Sequence, residues 1–107
     1  MYVCAGHKIS IALEELGVQY DAHTINISKG EQFQPWFLKL SPNNRIPALV
    51  DHSNNSIAIF ESAAILIYLA ETYDKTDKML PRSGADRYTV LQWLMWCVAY
   101  IYIVQYR

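Results

Sequence analysis

The chain has 107 residues, of which 52% are hydrophobic and 18% are charged. This composition is typical of one soluble globular domain and excludes an intrinsically disordered chain. The formal net charge is -1 and charges of both signs are interspersed, so neither nucleic acid nor a membrane is expected as a partner.

Two cysteines, Cys4 and Cys97, lie far apart, and no signal peptide precedes them. This pattern favours a reducing, cytoplasmic setting over a disulfide framework. The histidines show no ligand spacing with either cysteine, so no metal site is expected. They are His7, His23 and His52.

The first half of the chain predicts a helix, a strand and an irregular helix. Apolar residues at helical spacing predict the first helix, and they are Ile9, Ala12, Leu13 and Leu16. Gly17 ends this helix. Residues 20–27 are rich in β-branched and aromatic side chains and predict a strand. Residues 31–40 predict an imperfect helix, because Pro35 is tolerated only in a first turn or at a break.

The second half predicts a hairpin followed by two helices. Residues 46–50 and 56–60, joined by a polar turn, predict the hairpin. Residues 61–73 predict the next helix. A charged linker, residues 74–78, and the breakers Pro81 and Gly84 come next. They lead to a last helix that is predicted to begin near Ser83 or Ala85.

A turn leads into a proline at the start of the predicted hairpin. Pro47 has no N–H to give to a sheet and forces Ile46 into an extended conformation. If the bond between them is cis, Ile46 can turn its N–H and C=O outward. An extended ligand would then pair with Ile46 as an added strand does.

Glu61 and Ser62 open the helix that follows the hairpin. Free N–H groups and the helix dipole favour a carboxylate there, and Glu61 is suited to an ammonium group. The alternative interpretation is a simple helix cap. A ligand with an extended, thiol-bearing backbone and an amino-acid head fits both the proline turn and the start of this helix. Glutathione is such a ligand.

Several spaced motifs in one order carry a family resemblance. They are Gly6–Ile9, Leu13–Glu15, Lys29–Phe33, Ser41–Asp51 and Leu91–Leu94. With Glu61 and Ser62, the chain resembles the cytosolic glutathione transferases, closest to the bacterial nu class and its fungal prion-like relative. The resemblance implies an α/β fold: a thioredoxin-like glutathione-binding domain at residues 1–78, then, at residues 79–107, a linker and the first helix of an all-helical domain. It also implies a homodimer or other homo-oligomer.

Both ends of the chain depart from the family pattern. Only Met1–Val3 precede the first helical pattern, so most of the first strand is expected to be missing, which leaves a sheet edge open to another chain. From Cys97 onward the resemblance fails, which predicts a truncated or frameshifted product. Residues 90–106 are mostly apolar yet too short for a membrane span, so we expect oligomers that bury this tail.

The resemblance also assigns roles to single residues. Ile46 would pair with the cysteinyl part of glutathione, and Glu61 and Ser62 would bind the γ-glutamyl head. Gln32 and Arg45 would reach the glycine carboxylate or the second half of glutathione disulfide, although polar surface residues are usually only solvated.

The thiol-activating residues of the family are replaced in this chain. Val3 and Ala5 stand where the nu class has threonine and asparagine, and neither side chain can donate a hydrogen bond. Cys4 is the remaining candidate nucleophile, activated by the helix N-terminus and by His7 or Lys8. The alternative is an incidental small residue.

Three functions therefore stay open at this point. The first is a glutathione transferase or glutathione-dependent disulfide reductase. The second is a non-catalytic glutathione-binding or interaction module. The third is a degenerate fragment that folds only by association.

Overall fold

The computed structural model describes residues 4–105, and the side chains of residues 6–100. The chain folds as a mixed α/β structure, as predicted. The α-helices are α1 (Cys4–Leu16), α2 (Pro35–Leu38), α3 (Ser62–Tyr73) and α4 (Gly84–Gln105). Two short 3-10 helices, Ile27–Lys29 and Glu31–Phe33, precede α2. The strands β1 (Ala48–Asp51) and β2 (Ile57–Phe60) form an antiparallel hairpin.

The core lies between α1 and α3, with the hairpin packed beside them. Apolar side chains recur at helical spacing on the facing sides of both helices. The buried cluster consists of Ile9, Ala12 and Leu13 from α1 and Ile65 and Leu69 from α3. Leu49 of β1 and Ile59 of β2 pack against it. The hairpin and both helices are therefore held by one apolar cluster.

A buried carboxylate, Asp51, fixes the turn end of the hairpin to α3. It accepts hydrogen bonds from the hydroxyls of Tyr68, at 2.7 Å, and Tyr73. It also accepts bonds from the hydroxyl and the N–H of Ser53, at 2.7 and 2.9 Å. The bonds from Ser53, Tyr73 and Tyr68 hold the pKa of Asp51 well below its ordinary value of 3.8. The carboxylate in turn raises the pKa of Tyr73.

The charged linker after α3 is an ordered structure rather than a loose connection. Asp74 is buried and accepts hydrogen bonds from the N–H of Met79 at 2.7 Å and from the Thr76 hydroxyl at 2.7 Å. These bonds, with that from Met79 foremost, lower the pKa of Asp74 to about 2. Arg87 of α4 forms a salt bridge with Glu71 of α3 at 2.7 Å.

The predicted strand at residues 20–27 is wrong. Residues 20–26 have no regular structure, and Ile27 begins a 3-10 helix. A strand needs a ladder partner, yet residues 19–25 make no backbone hydrogen bond to any residue that the structure describes. The first strand expected at Met1–Val3 lies outside the described residues.

The predicted helix at residues 31–40 is broken into shorter pieces. Pro35 occupies the first turn of α2, the place that a proline tolerates. Gln34, directly before it, is extended with φ -67° and ψ 141°, which separates α2 from the preceding 3-10 helix. The proline thus ends one helical turn and begins another.

The other predicted elements are confirmed with small shifts of their bounds. Gly17 ends α1 with φ 65°, a left-handed conformation that glycine adopts without strain. The last helix begins at Gly84, between the two expected starts. Within residues 4–105, no helix is long and apolar enough to cross a membrane.

Shortening Ile65 is expected to cost much of the stability, because its side chain is 0% exposed. We expect Ile65→Ala to lower the free energy of unfolding by about 2–5 kcal/mol, since a cavity remains where the side chain packed. Urea denaturation measures this change. Ile11→Ala is the matched control, because Ile11 is 62% exposed on α1. Equal losses in the two variants would contradict the proposed core.

Acid is expected to weaken the structure through Asp51. The pKa of Asp51 is lower in the folded than in the unfolded chain, so its stabilising effect is present above about pH 4 and is lost at lower pH. Denaturation at several pH values should show wild type and Asp51→Asn converging in stability below about pH 4. A constant difference between them from neutral to acidic pH would speak against this role.

Candidate functional site

The hairpin register brings the proline turn and the start of α3 to the same end of the sheet. Ala48, the first residue of β1, is paired with Phe60, the last residue of β2. Cα atoms of paired residues lie about 4.5–5.5 Å apart. Pro47 and Glu61 extend the two strands by one residue each, so the two pieces of the predicted site are neighbours. We call this end of the hairpin the proline corner.

Ile46 presents backbone groups that the fold does not use. The Ile46–Pro47 peptide bond is cis. Neither the N–H nor the C=O of Ile46 is hydrogen-bonded to any residue that the structure describes. Ile46 is half-buried, and unpaired backbone groups of this kind can pair with an extended ligand as with an added strand.

Glu61 precedes α3 in an unusual backbone conformation, with φ 73° and ψ 120°. Its C=O accepts the N–H of Ile65 at 3.0 Å, while its side chain makes no capping bond. The helix-cap interpretation therefore does not account for the Glu61 carboxylate. Residues other than glycine at positive φ carry strain, and such strain is concentrated at ligand sites.

Ser62 is the first residue of α3 and is 6% exposed. The N–H groups of the first helical turn have no partner within the helix. The backbone N–H groups of residues 62–64 have no hydrogen-bond acceptor among the described residues. This helix start can therefore bind a carboxylate, while the exposed Glu61 side chain beside it can bind an ammonium group.

The other two predicted binding residues lie on different parts of the chain. Arg45 is exposed and directly precedes Ile46. Gln32 lies on the second 3-10 helix, whose backbone contacts α2 and the first 3-10 helix but neither the hairpin nor α3. Its Oε1 is nevertheless buried without a hydrogen-bond partner in the part of the chain that the structure describes.

The thiol-activating positions fall at the edge of the described chain. Cys4 is the first residue of α1, so Ala5 lies inside the helix rather than before it. The Cys4 side chain and all of Val3 lie outside what the structure describes, and their roles stay predictions. Among the described residues, no group of His, Cys, Asp or Glu side chains is arranged to hold a metal ion.

Ser41 begins the Ser41–Asp51 motif, but the sequence pattern assigned it no role of its own in the corner. It is 1% exposed, and its hydroxyl donates to the C=O of Arg45 at 2.7 Å. Its position before Pro42, at the start of the turn, is the signal that would have pointed to it, because serine side chains hydrogen-bond nearby backbone in turns.

Relieving the strain at Glu61 is expected to stabilise the fold. Such a conformation costs about 1–3 kcal/mol, and glycine adopts it at an entropic cost of about 0.5–1 kcal/mol. We therefore expect Glu61→Gly to raise the free energy of unfolding by about 1 kcal/mol in urea denaturation. Glu61→Ala, which removes the same carboxylate but keeps Cβ, should bring no gain. Equal stabilities of the two variants would argue against strain.

Comparison with known sequences places these residues in one family. Residues 4–72 match the N-terminal domain of glutathione S-transferases. The disulfide-bond oxidoreductase YfcG of Escherichia coli is 47% identical over 97 residues, covering 87% of this chain and 44% of the relative. Glutathione S-transferase 1 of Schizosaccharomyces pombe is 49% identical over 88 residues, covering 81% of this chain and 38% of the relative. The chain thus spans less than half the length of either relative.

Solved structures agree with the sequence relatives. The glutathione transferase URE2P6 of Phanerochaete chrysosporium, in complex with oxidised glutathione, superposes with a TM-score of 0.80 at 45% identity. The match covers 86% of this chain and 42% of that one. A glutathione transferase homologue of Lodderomyces elongisporus, with two glutathione molecules per subunit, gives a TM-score of 0.84 at 41% identity, covering 89% and 46%. With its thioredoxin-like hairpin and helices and its matched N-terminal domain, the chain belongs to the glutathione transferase family.

Proposed function

We propose that this chain binds glutathione at the proline corner. The observation that carries the proposal is the meeting of two unsatisfied backbone sites at one end of the hairpin. These sites are the N–H and C=O of Ile46 and the N–H groups of the first turn of α3, none of which has a partner within residues 4–105. The presence of glutathione in the solved structures of relatives supports the same ligand.

Each part of glutathione has a chemically matched partner at the corner. The cysteinyl residue pairs its main chain with Ile46, as an added strand would. The γ-glutamyl carboxylate accepts hydrogen bonds at the start of α3, where Ser62 lies, and its ammonium group binds the Glu61 carboxylate. Arg45 is a cation suited to the glycine carboxylate or to the second half of glutathione disulfide.

Binding is better supported than catalysis. Activation of the thiol needs a hydrogen-bond donor or a positive charge near the sulfur. Val3 and Ala5 supply neither, and Cys4 is the one nucleophile proposed near the start of α1. Glutathione-dependent disulfide reduction is the second candidate function, supported by the similarity to a disulfide-bond oxidoreductase.

We also propose a second copy of the chain as a partner, in a cytoplasmic setting. The exposed aromatic side chains of α4 support the proposal, because exposed apolar patches commonly mark interaction surfaces. They are Tyr88, Trp93, Trp96 and Tyr100, with exposures of 69%, 60%, 49% and 55%.

Calorimetric titration with glutathione and with glutathione disulfide tests the proposed binding. We expect Glu61→Gln to weaken binding by roughly tenfold to a hundredfold, because a hydrogen bond to a charged group is lost. Glu15→Gln is the matched control, since it removes an exposed carboxylate on α1. Its affinity should equal that of the wild type.

The outcomes of this titration separate the candidate functions. Binding without turnover of a disulfide substrate supports the binding module, and binding with turnover selects the reductase. If the folded wild-type chain binds neither ligand, the proposal is wrong. Equal affinities of the wild type and Glu61→Gln would remove Glu61 from the site.

A further inference from the structure

We propose that Ser41 is a positioning residue that decides which backbone groups of the proline corner face the ligand. The inference rests on the proposed glutathione binding and deepens it. Ser41 does not reach the ligand in this proposal. It acts through Arg45 and so sets the position of Ile46.

The Ser41 hydroxyl closes a small ring with the backbone of Arg45. It donates to the Arg45 C=O at 2.7 Å. It also accepts a hydrogen bond from the Arg45 N–H, with the Arg45 nitrogen 3.4 Å from the Ser41 Oγ. Inside this ring, the N–H of Asn44 donates to the Ser41 C=O at 2.9 Å, and Asn44 has a left-handed φ of 50°. The hydroxyl therefore stabilises the turn by binding both backbone groups of Arg45.

The ring is fixed to the interior of the protein. The N–H of Ser41 donates to the C=O of Phe37 at 2.8 Å, and Phe37 is 3% exposed. With Ser41 itself 1% exposed, water has little access to the hydroxyl. Hydrogen bonds in such a protected place hold their geometry, because leaving either partner unsatisfied is costly.

The ring selects one residue for ligand pairing. Both backbone groups of Arg45 are occupied by Ser41, and Pro47 has no N–H to offer. Between residues 45 and 47, Ile46 is therefore the residue whose N–H and C=O are both free of partners within the described chain. A ligand that pairs as a strand can thus align in one register.

The register matters because the ligand must reach α3 at the same time. Successive residues of an extended chain are about 3.3 Å apart. A slip by one residue, from Ile46 to Arg45, would move the amino-acid head of the ligand by about this distance from Glu61. The Ser41 hydroxyl thereby links pairing at the turn with recognition of the head.

Two substitutions at Ser41 and one control test the inference by calorimetry with glutathione. Ser41→Ala removes the hydroxyl and should weaken binding by about tenfold, the size of one hydrogen bond. Ser41→Thr keeps a hydroxyl and should restore most of the affinity. Ser53→Ala, which removes a hydroxyl from the Asp51 network, should lower stability yet leave the affinity unchanged. Equal affinities of Ser41→Ala and Ser53→Ala would overturn the proposal.

Amide measurements on the free protein keep the test decisive if a variant folds poorly or the wild type binds no glutathione. Absence of binding by the wild type would refute the proposed function alone. The Ser41 inference is then decided by hydrogen exchange of the Arg45 N–H and by the chemical shift of the Ile46 N–H. Faster exchange and a shifted Ile46 signal in Ser41→Ala support it. Exchange and shift equal to those of the wild type refute it.

Discussion

The packing of α3 against α1 is the contact on which the other features depend. Ile65 is completely buried and Leu69 nearly so, and both belong to the same buried cluster as Leu13 of α1. The hairpin lies against the same cluster through Leu49. Because the first turn of α3 is also part of the candidate site, the apolar core sets the position of the ligand-binding groups. Stability and recognition are therefore coupled through one helix.

The polar groups at the two ends of the hairpin differ in their hydrogen bonding. At the turn end, the carboxylate of Asp51 binds hydroxyls of Tyr68 and Tyr73 on α3, so the polar groups are satisfied internally. At the other end, Ile46 and the start of α3 have backbone groups without a hydrogen-bond partner among the residues that the structure describes. Fully paired polar groups stabilise a fold, whereas unpaired ones at a surface are available to a ligand. The hairpin is thus anchored at one end and open at the other.

Local sequence signals predicted the elements whose partners are close in the chain. The periodicity of apolar residues and helix-breaking residues such as Gly84 predicted the hairpin, α3 and the start of α4. Pro47 and Glu61 pointed to the proline corner. The strand at residues 20–27 failed because strand formation depends on a pairing partner that a local pattern does not reveal. The role of Ser41 was missed for a similar reason, since its importance lies in a hydrogen bond to Arg45 and in its burial.

The tryptophans of this chain are all near the surface. Trp36, Trp93 and Trp96 are 52%, 60% and 49% exposed, so water already surrounds about half of each indole in the folded state. Their fluorescence consequently reports little on formation of the core between α1 and α3. Trp93 and Trp96 are in edge-to-face contact on α4, and Trp96 stacks on Tyr100. The emission of Trp93 and Trp96 therefore responds to changes in the solvent exposure of α4, and folding is better followed by circular dichroism.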